Sequence, residues 1–217
     1  MLPSDDIDTP RGPARIDTDL PVGPPDRAAI VAPARAPAAL LVLGHGAGGT
    51  VDAPDLLAVR DAAVTAGLVV VRVTQPYRVA GRRAPAPAGH LDEVWTAVLA
   101  VLRERYADVP TILVGGRSSG ARVACRTAGA VGAAGVVALA FPLHPPGRPE
   151  RSRAAELATG LPTLVVNGDR DPFGMPASGP DVRVVSRPGE THDLRRDPAG
   201  TAIVVREWLR SHGWTAD

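Results

Sequence analysis

The sequence predicts an α/β fold in which a mostly parallel central sheet is covered by helices on both faces. The apolar runs at 39–43 (ALLVL), 68–73 (LVVVRV), 111–115 (TILVG), 136–141 (VVALAF) and 163–167 (TLVVN) are continuous rather than alternating, as in strands buried on both sides. Between them lie stretches with apolar residues at helical spacing, clearest in Leu91, Val94, Trp95, Val98 and Leu102. A length of 217 residues suits a single domain around one core.

Residues 1–38 form a Pro/Gly/Asp-rich N-terminal segment, broken at Pro24-Pro25 and Pro33. It has short edge strands expected at 7–9 and 14–17, turned by Pro10-Arg11-Gly12-Pro13. The α/β domain proper is expected over 39–217. A helix at 55–66 ends on Gly67 at its C′ position. Further helices are expected at 91–106, 119–128 and 199–211, with a last short strand at 182–186. Only about 20 residues, rich in Pro and Gly, separate the strand ending at Phe141 from the one opening near Pro162. They leave room for one short helix at 151–157, hence a minimal lid or none.

Composition removes several functions. All 24 basic residues are Arg, so neither a Walker-A phosphate loop nor a pyridoxal-phosphate Schiff base can form. Aromatics make up 3% and the net charge is +1, so neither stacking platforms nor a bulk field point to nucleic acid or an anionic membrane. Cys125 is the single cysteine, which excludes an internal disulfide or a Cys-based zinc cluster. No H-x-H or H-E-x-x-H motif suggests another metal, and no cofactor is expected. No apolar run reaches the roughly 18 residues of a membrane span, and the start, with Asp5, Asp6 and Asp8, lacks the regions of a signal peptide. The expectation is a cytoplasmic protein.

The sharpest motif is Gly116-Arg117-Ser118-Ser119-Gly120, a G-x-S-x-G between a strand and a helix. Its glycines permit a tight turn that exposes the Ser118 hydroxyl above the sheet, with a helix N-terminus behind it to favour developing negative charge. The plainer reading is a Gly-rich turn with Ser118 capping the helix. A hydroxyl nucleophile needs a base, and the base an orienting acid. His192 follows the last short strand. Asp169 and Asp171 both follow the strand TLVVN, and Asp171 is preferred because it lies farther beyond Gly168 and before Pro172. The order Ser118, Asp171, His192 is that of α/β-hydrolases.

Gly44-His45-Gly46-Ala47-Gly48-Gly49 fits a dinucleotide-binding G-x-G-x-x-G, but Asp52 and Asp55 would face a pyrophosphate and the next strand ends without an acid. The favoured reading is an oxyanion loop, with the Ala47 and Ser119 N–H groups as donors. His45, Arg82, Arg83 and His144 are candidate substrate contacts. Arg78, Arg82 and Arg83 would otherwise be salt-bridged surface residues, and His144, among prolines, would otherwise fix a loop or compete as base.

Taken in order, GHGAGG, QPYRVAGRRAP, GGRSSGARVA, FPLHPPGRPE, GDRDPFG and GETHDL resemble one family of small α/β-hydrolase-like proteins. It includes testis-expressed protein thirty and the hydrolase-like domain of the third subunit of the NSL chromatin complex, with bacterial members more distantly akin to dienelactone hydrolases. The resemblance spans about 39–212 and implies Ser118 as nucleophile, Asp171 as acid, His192 as base and His45–Gly49 as the oxyanion loop. The expected function is therefore a serine hydrolase of small esters or lactones, acting on a small-molecule substrate. The alternative is a non-catalytic hydrolase-like interaction domain, since fold alone does not decide activity.

Overall fold

Residues 4–21 and 37–216 are described by the computed structural model. The breaks expected at Pro24-Pro25 and Pro33 lie outside them. In chain order the elements are β1 (Asp5–Ile7), β2 (Ala14–Asp19), β3 (Leu40–Gly44), α1 (Pro54–Thr65), β4 (Val69–Thr74), α2 (Pro76–Val79), α3 (Ala88–Arg105), β5 (Ile112–Arg117), α4 (Ser119–Thr127), β6 (Gly135–Leu139), a 3-10 turn (Ala154–Leu157), β7 (Thr163–Gly168), β8 (Val182–Arg187) and α5 (Pro198–Ser211). The strands form one sheet in the order β1-β2-β4-β3-β5-β6-β7-β8. β1–β2 and β2–β4 are antiparallel, and every later pair is parallel.

The period of two in the strands divides the core. Leu40, Val42, Val69, Val71, Val114 and Val136 face one side, where α3 and α4 bring Val94, Trp95, Val98 and Ala121. Leu41, Leu43, Val70, Leu113, Val137 and Val166 face the other, where α1 and α5 bring Leu56, Val59, Val205 and Trp208. Burial on both faces is the reason these strands read as unbroken apolar runs. The parallel strands all point one way, so the loops after β3, β5, β7 and β8 gather along a single edge, where ligands of open α/β sheets bind.

The N-terminal strands take one edge of the sheet, and three local features depart from the sequence reading. β2 pairs with β4 from Arg15 to Asp19, so the N-terminal strands extend the main sheet, and Ile7, Ala14 and Ile16 join its core. A short helix, α2, follows β4, with Pro76 fitting its first turn. β6 stops at Leu139 because Ala140 adopts φ 47°, and the Asn167 side chain then takes over from the ladder. Its Oδ1 accepts the Phe141 N–H at 2.8 Å and its Nδ2 donates to the Phe141 carbonyl at 2.9 Å.

The expected helix at 151–157 is only the 3-10 turn 154–157. Ion pairs fasten that turn to the body of the protein. Arg122 of α4 forks onto Glu156 at 2.5 and 2.8 Å, and Arg126 forks onto Asp92 of α3 at 2.6 and 2.9 Å while reaching Glu156 at 3.4 Å. Nothing larger stands between β6 and β7 to cover the sheet edge.

Candidate active site

β5 passes directly into α4 at the G-x-S-x-G. A side chain on Gly116 or Gly120 would collide with the carbonyl oxygen of Gly44, so glycine at both is what lets β3 and the turn touch. Ser118 sits at φ 53° and ψ −109°, a sparsely populated conformation for a residue with a Cβ, and its N–H is held by the Leu139 carbonyl at 2.9 Å. The strain lifts the hydroxyl clear of the sheet.

That hydroxyl meets an imidazole. His192 Nε2 lies 2.9 Å from Ser118 Oγ, and His192 Nδ1 lies 2.8 Å from Asp171 Oδ2. The Asp171 carboxylate is wholly buried and accepts the Phe173 N–H with its other oxygen at 2.8 Å, which leaves its outer oxygen aimed at the ring. A carboxylate only accepts, so Nδ1 carries the proton and Nε2 is free to accept from Ser118. The Phe173 ring packs on the imidazole at 4.1 Å between centroids. Asp169 is turned elsewhere and accepts the Gly189 N–H at 2.8 Å.

Arg117, next to Ser118, was not singled out from the sequence. Its Nη2 donates to the His192 carbonyl at 2.9 Å, and its Nε lies 3.0 Å from Asp55 Oδ2 at the start of α1. The same guanidinium packs against Gly46. Burial pushes the Asp55 carboxyl up to about 6, with the Arg117 charge acting against that rise. No spacing rule joins Asp55 to Arg117, so only the fold reveals the pair.

The loop after β3 brings Ala47 to the surface, and Ser119 opens α4, where first-turn N–H groups have no partner within the helix. His45, a candidate substrate contact, has both ring nitrogens engaged within the protein. Its ring is buried, Nδ1 donating to the Gly46 carbonyl at 2.8 Å and Nε2 accepting the Gln75 N–H at 3.1 Å. Burial holds its pKa below the ordinary value, and both nitrogens are occupied in shaping the loop.

His144 is likewise engaged in loop structure: Nδ1 donates to the Pro145 carbonyl at 2.9 Å and Nε2 abuts Gly174, bracing the turn that carries Asp171. Arg82 and Arg83 are both exposed but separate. Arg82 lines a cleft beside α2, whereas the Arg83 carbonyl packs on Gly48 of the β3 loop. Neither makes an ion pair among the described residues, contrary to the surface alternative. Among the described residues no three His, Cys, Asp or Glu side chains converge to hold a metal, and no helix is long and apolar enough to cross a membrane.

Solved structures share this architecture. An α/β serine hydrolase without a lid from Xanthomonas campestris superposes with a TM-score of 0.75 at 22% identity, over 99% of this chain and 95% of that one. A serine hydrolase homologue from Coxiella burnetii gives 0.70 at 21%, covering 96% of both chains. Est1E from Butyrivibrio proteoclasticus gives 0.74 at 16%, over 96% of this chain and 98% of that one. No curated protein matches the sequence. At these identities the likeness establishes the fold, that of α/β-hydrolases with little or no lid. A family model described as "Alpha/beta hydrolase domain" matches residues 37–186, a stretch that holds Ser118 and Asp171 and stops short of His192. By that match the chain belongs to the alpha/beta hydrolase domain family.

Proposed function

We propose that the protein is a serine hydrolase that cleaves small carboxylic esters or lactones through an acyl-enzyme. The observation that carries this reading is the unbroken relay from the buried Asp171 through His192 to Ser118, at 2.8 and 2.9 Å. Ser118 Oγ attacks the carbonyl carbon while its proton passes to His192 Nε2. Asp171 holds the imidazole tautomer and stabilises the imidazolium. The Ala47 and Ser119 N–H groups receive the oxyanion. On collapse the alcohol leaves with the proton from His192, and water then attacks the acyl-enzyme by the same route in reverse.

The narrower kinship with the testis-expressed protein thirty and NSL subunit family, carried by FPLHPPG and GDRDPFG, belongs to this proposal. So does a single functional domain, and so does a cytoplasmic setting, in which the buried Cys125 stays a thiol. The deciding experiment is labelling of folded protein with a fluorophosphonate probe. Adduct at Ser118, absent in Ser118→Ala, is the expected result. A folded protein that takes no label and turns over no p-nitrophenyl ester is an interaction domain instead.

A further inference from the structure

The loop after β3 turns about one carbonyl. The Gly46 oxygen accepts the Gly49 N–H at 3.0 Å and lies 2.8 Å from His45 Nδ1. The loop after β4 settles which atom holds the imidazole proton. The Gln75 N–H can only donate, and it lies 3.1 Å from His45 Nε2, so Nε2 accepts and Nδ1 donates to Gly46. A second proton would have to sit on Nε2, facing that N–H. Burial opposes it and, with the Arg78 charge, holds the ring's pKa below the ordinary value. At 3% exposure, with the Tyr77 ring 5.8 Å away between centroids, the imidazole is shielded from competing water.

The Gly46 carbonyl and the Ala47 N–H belong to the same peptide unit. No described peptide bond is cis, so the two groups point in opposite directions. With its carbonyl tied to His45 and Gly49, the unit turns its N–H away from the ring. Among the described residues that N–H has no acceptor. A Cβ on Gly46 would lie 3.5 Å from Ser118 Cβ, so the unit starts beside the hydroxyl-bearing residue. A carbonyl that accepts two hydrogen bonds also polarises its peptide, which makes the N–H on the far side a stronger donor.

We propose that His45 is a positioning residue for catalysis, whose Nδ1–H aims and polarises the Gly46–Ala47 peptide so that the Ala47 N–H meets the oxyanion. The proposal rests on the acyl-enzyme reading, which forms that oxyanion. As the bond from Ser118 Oγ to the carbonyl carbon forms, the carbonyl π pair moves onto oxygen, and a donor already aligned receives the charge. The His45 proton stays on Nδ1 throughout.

Asparagine and glutamine separate the two ends of the ring. His45→Asn puts an amide N–H where Nδ1 was and gives up the bond from Gln75. His45→Gln puts an amide oxygen where Nε2 was and gives up the bond to Gly46. Asparagine leaves the larger void, so His45→Asn should be the less stable of the two in urea. Activity should run the other way. On p-nitrophenyl acetate, His45→Gln should lose about 10- to 100-fold in kcat, part of the cost of a missing oxyanion donor, with KM within about threefold. His45→Asn should stay within about fivefold of the wild-type kcat.

A second readout uses the thiono analogue, in which a weakly accepting sulfur replaces the carbonyl oxygen. The wild-type preference for the oxygen ester, normalised to uncatalysed rates, should shrink about tenfold in His45→Gln and persist in His45→Asn. Activities that follow stability, or an unchanged preference in folded His45→Gln, overturn the proposal. If His45→Asn does not fold, the preference in His45→Gln decides alone. Fluorophosphonate labelling of the wild type separates the two failures. Without label or turnover the hydrolase reading falls and this proposal with it, whereas label at Ser118 with an unchanged preference in His45→Gln removes the His45 role alone.

Discussion

Arg117 and His192, distant in sequence, are joined by a 2.9 Å hydrogen bond from the guanidinium to the main-chain carbonyl. The residue before Ser118, the proposed nucleophile, therefore holds the loop that carries His192, the proposed base. Removing the bond should loosen the Ser118–His192 alignment without touching the substrate. Arg117→Met alone would leave Asp55 buried without its cation, so Asp55→Asn/Arg117→Met is the cleaner variant. Its kcat for p-nitrophenyl acetate should fall about 10- to 100-fold, in line with the cost of a small misplacement at a reacting centre. KM should change far less. A normal kcat with a raised KM would assign Arg117 to substrate binding.

Asp55 should leave a pH signature on stability. Its folded pKa, about 6 against an ordinary 3.8, means that the folded state binds this proton more tightly than the unfolded state. The resulting stabilisation is fully present below pH 4 and is lost as pH rises through 6. Relative to Asp55→Asn, the wild type should lose about 2 kcal/mol between pH 4 and pH 7 and show little further change above that. Urea unfolding of both proteins across this range measures the difference. A difference that is flat with pH, or that grows towards neutrality, would contradict the buried-carboxyl account.

The two aspartates after β7 should separate cleanly. Asp171→Asn removes the negative partner of His192 Nδ1 and should lower kcat by roughly 10³–10⁴, as expected when the imidazole loses its tautomer. Asp169→Asn weakens only a bond to the Gly189 N–H and should stay within about threefold in kcat, with a stability loss of about 1 kcal/mol. The reverse order in steady-state kinetics would transfer the role to Asp169.

Backbone strain at Ser118 should be recoverable as stability. Ser118→Ala and Ser118→Gly both lack the proposed nucleophile, but only glycine is at ease at φ 53° and ψ −109°. The glycine variant should be more stable than the alanine variant by about 1 kcal/mol, or roughly 2–4 °C in Tm for a chain of this size. Equal melting temperatures would mean that the turn carries no strain.

The central strands were legible because burial on both faces leaves a signature that needs no partner: Leu40 and Val42 fill one core, Leu41 and Leu43 the other. Ser118, Asp171 and His192 could be singled out because each follows a strand, and parallel strands deliver their ends to a common edge. What stayed hidden depends on meetings across the fold. α2 has four residues and no periodic face. β6 ends where the Asn167 side chain replaces a ladder partner. The bond from the Gln75 N–H to the His45 ring joins two loops that no local pattern connects. The Arg117–Asp55 pair likewise joins residues on separate elements.

Arg122 and Arg126 of α4 fasten Glu156 of the bridge between β6 and β7, and the Arg126 fork onto Asp92 ties α4 in turn to α3. A gate needs a hinge and a loose edge; this bridge is short and riveted at its centre. If the protein is the hydrolase proposed, no element among the described residues makes its substrate wait for a door or gives it a closed form for an oil–water boundary to open. Turnover should follow the concentration of dissolved ester smoothly and pass the onset of micelles without a jump.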